Sequence, residues 1–280
     1  MTEHKEVPTL YGPAAKTGRV RTRDLQRAKD RGEKFAMLTS YDQYTAAIFD
    51  EVGIPALLVG DSAANNVYGY RTTLPVTVEE LLPLVAAVAR STERTLVVAD
   101  LPFGSYEAGP AQALDSAVRF MKAGAHAIKL EGGVRMREQI HALTGAGIPV
   151  MAHVGFTPQS ENLVGGYRVA GRADAARAVV DDAHAVEQAG AFAVVLEMVM
   201  ADVAARITEE LTIPTIGIGA GDRTDGQIMV WQDITGMRQG RVPRFVKRYA
   251  DVAGVITDAA RRYADEVRDG VFPAAEHSFE

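Results

Sequence analysis

The chain contains no cysteine. That single absence excludes disulfide frameworks, thiolate-held zinc, iron–sulfur clusters and a thiol nucleophile, so any metal must be held by oxygen or by the six histidines. Nor is there a surplus of positive charge. Lys and Arg number 30 against 36 Asp and Glu, a net charge of -6, and a mildly acidic chain lacks the basic face that nucleic-acid binding needs. Apolar runs of the roughly 18 residues needed to cross a bilayer are missing; Leu81–Ala89 is among the longest and stops at Arg90. Met1–Lys16 is polar and mixed in charge, without the apolar centre of a secretion signal. Tryptophan occurs once, at Trp231, and is expected in the core rather than as a cofactor platform. The expectation left standing is a soluble cytoplasmic enzyme.

What is present is a recurring unit. Of the 280 residues, 47% are hydrophobic, enough for a large core. From Phe35 onward, short apolar runs alternate with helical stretches. The runs are Phe35–Thr39, Ala56–Gly60, Thr95–Ala99, Ala127–Leu130, Pro149–Ala152, Phe192–Leu196, Pro214–Ile218 and Ile228–Trp231. Amphipathic stretches lie between most of them: Ala111–Ala123, Arg135–Thr144, Asp174–Ala189 and Asp202–Leu211, while Leu81–Arg90 is expected to supply the helix of the long span before Thr95–Ala99. Near-continuous apolar strands are buried on both faces, as in parallel sheets, and eight such βα units match an α/β protein of the (β/α)8 TIM-barrel type. A doubly wound open sheet fits the same alternation and stays open. Residues 1–20 read as a flexible arm. Thr22 can cap a short helix reaching Arg31, ended at Gly32. The last forty residues read as two helices, with Val252, Ile256, Ala260, Tyr263 and Val267 at helical spacing, for packing outside the barrel or for oligomer contacts. No linker interrupts the rest, so residues 21–280 are expected to form one catalytic domain with extra terminal helices.

The informative feature is what ends the strands. Leu57–Gly60 runs into Asp61 and Ser62, Leu96–Ala99 into Asp100, Ile128 into Lys129 and Glu131, Met151–Ala152 into His153, and Val194–Leu196 into Glu197. In a barrel, the C-terminal strand ends are where active sites are built. Residues two apart on a strand share a face. Asp61 then lines up with Leu57 and Val59, Asp100 with Leu96 and Val98, Glu197 with Ala193 and Val195, and Lys129 with Glu131. Carboxylates gathered in this way repel unless a cation sits among them, and Mg²⁺, which takes one or two carboxylates plus water and substrate oxygens, suits such a site. The plainer alternative is that each acid caps a helix or pairs with an arginine. His153 by itself reads as a structural histidine, and His4, His126, His141, His184 and His277 are read the same way. Gly217-Ile218-Gly219-Ala220-Gly221 lacks dinucleotide-site spacing and serves either a close ligand approach or a tight turn. The long connection Val154–Arg172 starts at His153 and is expected to cover a substrate.

These segments resemble the ketopantoate hydroxymethyltransferase family. The likeness rests on Leu38-Thr39-Ser40-Tyr41-Asp42, Val59-Gly60-Asp61-Ser62, Ala99-Asp100-Leu101-Pro102-Phe103, Lys129-Leu130-Glu131-Gly132-Gly133, His153 through Ser160, Leu196-Glu197, the glycine run with Asp225-Gly226-Gln227, and Val271-Phe272-Pro273. The resemblance implies a (β/α)8 barrel transferring a hydroxymethyl group from 5,10-methylenetetrahydrofolate to 3-methyl-2-oxobutanoate with Mg²⁺, commonly as a homodecamer. It implies Asp61 and Asp100 as carboxylates of the metal and substrate site, and Glu131 as the third metal-site acid, directly or through water. It further implies Ser62, Lys129 and His153 as substrate contacts and Glu197 as the catalytic base. Two departures stand out: Ala170 replaces the family's usual Gln after the Gly165-Gly166 pair, and Met200 stands where Pro commonly follows the Glu197 segment. A Mg²⁺-dependent 2-oxo-acid lyase of the isocitrate-lyase or phosphoenolpyruvate-mutase type is the rival reading, although such lyases typically carry a reactive cysteine. A non-catalytic scaffold barrel would have no reason to place these acids at strand ends.

Overall fold

The computed structural model describes residues 9–11, 18–240 and 242–279. Most of the arm expected over residues 1–20, with His4, lies outside the described residues. The chain divides into two compact units, residues 1–229 and 230–280.

In the first unit eight parallel strands close into a barrel in chain order: β1 (Phe35–Thr39), β2 (Ala56–Val59), β3 (Leu96–Asp100), β4 (Ala127–Glu131), β5 (Val150–Gly155), β6 (Ala193–Glu197), β7 (Thr215–Ile218) and β8 (Gly226–Met229). The TIM-barrel expectation holds and the open sheet is excluded, because β8 pairs back onto β1. Outer helices span Gln43–Val52, Val78–Arg90, Pro110–Ala123, Arg137–Gly145, Ala175–Gln188 and Ala201–Glu210. Their ends follow from the sequence. Asp42 Oδ1 accepts the amides of Tyr44 and Thr45, and Thr77 with Glu80 forms a reciprocal cap. Pro110 opens its helix at a position that needs no amide donor, and Gly124 ends it with a left-handed φ of 110°.

One face of each strand is now identified. Ala56, Leu58, Leu96, Val98, Ala127, Met151, Ala193, Val195, Ile216 and Ile228 form one buried cluster, the filling of the barrel. Leu57, Val59, Val97, Ala99, Ile128 and Ala152 are equally buried but lie outside that cluster, on the alternate face. The helix Thr22–Asp30 joins the same cluster through Leu25 and Ala28, with Phe35 and Met37, and so closes the N-terminal end. Burial of such a leucine contributes about 1.5–3 kcal/mol. Arg21 rather than Thr22 takes the cap position; its amide donates to Asp24 Oδ2 at 2.8 Å. Asp225 Oδ2 ties this closure to β7, accepting from Lys29 Nζ and from the Thr215 amide, each at 2.8 Å.

The second unit holds a short helix, Trp231–Ile234, one long helix, Val252–Arg268, and a final turn at Ala275–His277. The expected second C-terminal helix is therefore only a turn, because Pro273 and the glycine at 270 stop a continuous helix. Ile256, Tyr263 and Val267 on the long helix are exposed in the single chain.

His126, just before β4, gives a first test of the fold. Its Nδ1 accepts the Val97 amide at 3.0 Å, and burial, reinforced by Arg19 and Arg21, lowers its pKa from 6.5 to about 4. The unfolded chain takes up this proton below pH 6.5 and the fold resists it down to about 4. Stability is thus intact above pH 6.5 and falls as pH drops through that window. The loss is about 1–2 kcal/mol once solvent screening of this half-buried ring is allowed for. His126→Asn keeps an acceptor without the titration. Its urea midpoint is expected to fall less than the wild type's between pH 7 and pH 5, and an equal fall would refute the assignment.

Candidate active site

The barrel register carries the polar residues to one end. On β3, Asp100 continues the inward series of Leu96 and Val98; on β4, Lys129 and Glu131 follow Ala127. His153 follows Met151 on β5 and Glu197 follows Val195 on β6. Pairing sets Asp100 beside Lys129 and Glu131 beside His153. An apolar filling therefore gives way, one layer higher, to a charged floor at the C-terminal end of the strands.

Asp61 arrives by a different route from the one its alternation suggested. The inward residues of β2 are Ala56 and Leu58, so Leu57 and Val59 point outward and Asp61 cannot follow them into the barrel. The strand ends at Val59 and the chain turns at Gly60, where an added Cβ would lie 2.7 Å from Ser62 Oγ and 3.2 Å from Asp100 Oδ2. Lacking a side chain there, the turn presses against Asp100, whose Oδ2 accepts the Asp61 amide at 3.0 Å.

The charges interlock. Lys129 Nζ donates to Asp100 Oδ1 at 2.5 Å with both side chains buried. His153 stands between two acids, Nδ1 at 3.3 Å from Glu131 Oε1 and Nε2 at 3.3 Å from Glu197 Oε2. Neither nitrogen makes a well-directed hydrogen bond. Burial and the nearby Lys129 would lower the His153 pKa, but Glu131 and Glu197 outweigh both and raise it to about 9. Burial would likewise discharge Lys129, yet Asp100, Glu131 and Asp61 hold it above the ordinary lysine value. Burial first, then Asp100 and Glu131, pushes Asp61 up to about 7, and burial also raises Asp100. Ser62 Oγ pairs with Tyr41 OH at 2.9 Å, and burial drives that phenol up to about 12.

All the residues singled out in the sequence thus meet in one place: Asp61, Ser62, Asp100, Lys129, Glu131, His153 and Glu197. Three partners escaped the sequence reading: Tyr41, Tyr106 and Gln159. Tyr41 and Gln159 stood inside the quoted motifs, but an uncharged side chain off the strand ends carries no period or charge signal. The connection Val154–Arg172 proves to have structure of its own, a turn at Pro158–Ser160 and a short helix, Glu161–Val164. It returns to the site at Ala170, whose amide donates to Met198 O at 2.7 Å while the Met200 amide donates to Ala170 O at 3.0 Å. The chain's two departures from the family pattern are therefore bonded to each other, and a proline at 200 would lack the second donor. Gly217, on β7, has no room for a Cβ beside Thr224 and Gln227 of the next loop and strand, and Gly219 and Gly221 adopt left-handed φ of 65° and 81°, which favours the tight-turn reading of the glycine run.

Among the described residues no three His, Asp or Glu side chains are already gathered as a metal cage. Magnesium does not require one, since it commonly takes one or two carboxylates and keeps water and substrate oxygens. The charge balance fits it. Among the described residues the carboxyls of Asp61, Asp100, Glu131 and Glu197 face Lys129 and the His153 ring, and crowding by Asp100 and Glu131 adds to burial in raising Asp61. Asp61 and Asp100 suit direct ligation. Glu131 is engaged at both oxygens, Oε2 by the Gln159 amide at 3.0 Å and Oε1 by His153 at 3.3 Å, as Asp100 is by Lys129 and the Asp61 amide.

Gly155, opposite Glu197 in the register, has φ 97°, and an added Cβ would lie 2.5 Å from the Glu197 carbonyl. Gly155→Ala is expected to lower kcat at least tenfold by shifting Glu197 and to cost about 1–3 kcal/mol of stability. Turnover and thermal unfolding measured together check it; unchanged kcat would show the contact relaxes without moving the acid.

A family model described as ketopantoate hydroxymethyltransferase matches residues 19–275. The chain is 64% identical over 276 residues to a 3-methyl-2-oxobutanoate hydroxymethyltransferase of Saccharopolyspora erythraea, covering 98% of this chain and 94% of that protein. It is 62% identical over 277 residues to the protein of that name from Mycobacterium tuberculosis, covering 97% and 99%. Among solved structures, a phosphonopyruvate hydrolase is similar at TM-score 0.60 and 16% identity, covering 93% and 92% of the two chains. A 2,3-dimethylmalate lyase of the PEP mutase/isocitrate lyase superfamily is similar at TM-score 0.57 and 17% identity, covering 92% and 91%. These two structural likenesses show a shared fold.

Proposed function

Given that the chain belongs to the ketopantoate hydroxymethyltransferase family and carries that activity in pantothenate biosynthesis, with a folate co-substrate, we propose how its charged floor performs the reaction. Asp61 and Asp100 would hold Mg²⁺, with Glu131 as the third acid of the site. When bound, the ion supplies Lewis-acid polarisation of the keto acid's oxygens, worth several kcal/mol. Lys129 Nζ faces the oxo group, where negative charge grows as the C3 proton of 3-methyl-2-oxobutanoate leaves, and Ser62 contacts the substrate carboxylate. His153, whose ring stands between Glu131 and Glu197, adds a further hydrogen bond in the pocket. Glu197 takes the C3 proton. Its side chain is 15% exposed while those of Asp100 and Glu131 are 2% and 3%, so it reaches into the pocket and not into the floor. The connection after His153 keeps water from returning that proton before the new carbon–carbon bond forms.

The observation that carries this reading is the surplus of buried carboxyl groups, with Lys129 and His153 as the cations among them. We place the enzyme in the cytoplasm; among the described residues no helix is long and apolar enough to cross a membrane. Its assembly is a homo-oligomer, a decamer by family resemblance, supported by the uncovered Ile256, Tyr263 and Val267 and read by sedimentation equilibrium. The decisive measurement is NMR-detected deuterium incorporation at C3 of 3-methyl-2-oxobutanoate, with and without Mg²⁺. Exchange that needs the metal supports the proposal; equal exchange in its absence sinks the metal role.

A further inference from the structure

Packed against the charged floor lies a side chain with no charge and no free valence. The Gln159 amide is buried, and each of its hydrogen-bonding atoms is engaged. Nε2 donates to Asp61 Oδ2 at 2.9 Å and to the Leu101 carbonyl at 3.0 Å. Oε1 accepts from Tyr106 OH at 2.6 Å, and the Gln159 backbone amide donates to Glu131 Oε2 at 3.0 Å. The Tyr106 hydroxyl also accepts the Glu131 amide at 3.3 Å and lies 3.2 Å from the Glu131 carbonyl, a longer alternative to the 2.6 Å bond to Oε1. With Tyr106 donating to Oε1 and both Nε2 protons spent, the amide has one orientation only. Gln159 sits in the Pro158–Ser160 turn, at the start of the connection over the site.

We infer that Gln159 is a positioning residue of the hydroxymethyl transfer: it sets the orientation of Asp61 for the divalent cation and ties the covering connection to the acidic floor, with Tyr106 locking the amide. This rests on the reading of Asp61 as a magnesium ligand. The physical reason is that Asp61 Oδ2 is pinned while Oδ1 has no hydrogen-bond donor among the described residues, leaving that oxygen directed at the site. A carboxylate fixed in advance need not be ordered when the ion and substrate arrive, and residues that orient a metal ligand in this way typically govern affinity by about 10–100-fold. Coupling follows from the same contacts. Displacing the Pro158–Ser160 turn removes a donor from Asp61 and another from Glu131 together, so an open connection and a slack metal site occur as one event.

The test is calorimetric titration of 3-methyl-2-oxobutanoate into the full-length enzyme, with and without magnesium chloride, for wild type, Gln159→Met and Tyr106→Phe. Gln159→Met keeps length and volume while removing the amide; Tyr106→Phe removes the lock together with the hydroxyl's contacts to the Glu131 backbone, and touches no acidic side chain. The expected result is magnesium-dependent affinity weakened about tenfold in Gln159→Met and less, in the same direction, in Tyr106→Phe, with stoichiometry unchanged. Should Gln159→Met fail to fold, Tyr106→Phe decides by itself. A purely structural role would lower the bound fraction and leave affinity where it was, which would overturn the proposal, as would unaltered affinity in both variants. A wild type that binds equally without magnesium would instead overturn the metal reading, and this inference with it.

Discussion

Glu197→Gln is expected to bind 3-methyl-2-oxobutanoate in the presence of Mg²⁺ nearly as the wild type does, yet to lose exchange of the C3 proton by about 10²–10⁴-fold. The expectation follows from where Glu197 stands. It ends β6 two residues beyond Val195, in register with Gly155, and is the most exposed of the gathered acids. An amide of the same shape can fill its place but cannot accept a proton from carbon. His153 remains held by Glu131, so removal of one carboxylate leaves the floor's other contacts standing. The Asp61–Gln159 and Asp100–Lys129 contacts do not involve Glu197. Deuterium incorporation followed by NMR, alongside calorimetric binding, separates the two effects. Undiminished exchange would take the base role away from Glu197. Lost binding with residual exchange would make it a substrate contact instead.

How much of this could be read from residues alone depends on the kind of signal each one gives. The eight strands were legible because parallel strands buried on both faces leave unbroken apolar runs, and Asp100, Lys129, Glu131, His153 and Glu197 were legible because each interrupts or ends such a run. Asp61 was found for the wrong geometrical reason. Its alternation with Leu57 and Val59 points outward, and it reaches the site only through the turn at Gly60, which no strand periodicity encodes. Gln159 and Tyr106 were not legible as site residues, since their importance lies in hydrogen bonds across separations of 53 and 98 residues. The C-terminal region misled for a related reason: apolar spacing predicts helix but says nothing of what stops it. Nor could the fold by itself separate the hydroxymethyltransferase reading from its lyase rival. A phosphonopyruvate hydrolase and a dimethylmalate lyase share the barrel at 16% and 17% identity, whereas relatives above 60% identity carry the transferase name.

Lys129→Met is expected to lower stability at pH 7 by about 3–5 kcal/mol, the range typical when one partner of a buried ion pair is removed. C3 exchange should fall about 10²–10³-fold for loss of a preorganised charge beside the developing oxyanion. Lys129 Nζ is 2.5 Å from Asp100 Oδ1, and Asp100, Glu131 and Asp61 together keep it charged against its burial. Methionine fills the same space and leaves those carboxyls facing His153 alone. The sign of the pH dependence is fixed. Burial without Lys129 raises the pKa values of Asp61 and Asp100 in the folded state further above those of the unfolded chain, so the deficit is largest at neutral pH and shrinks as these two acids take up protons. Asp61, already at about 7 in the wild type, leads this change. Urea midpoints of wild type and variant should therefore lie closer together at pH 5 than at pH 7. A variant as stable as the wild type at pH 7 would mean that the acids are neutral in the folded chain. The surplus of negative charge from which the metal site was argued would then not exist.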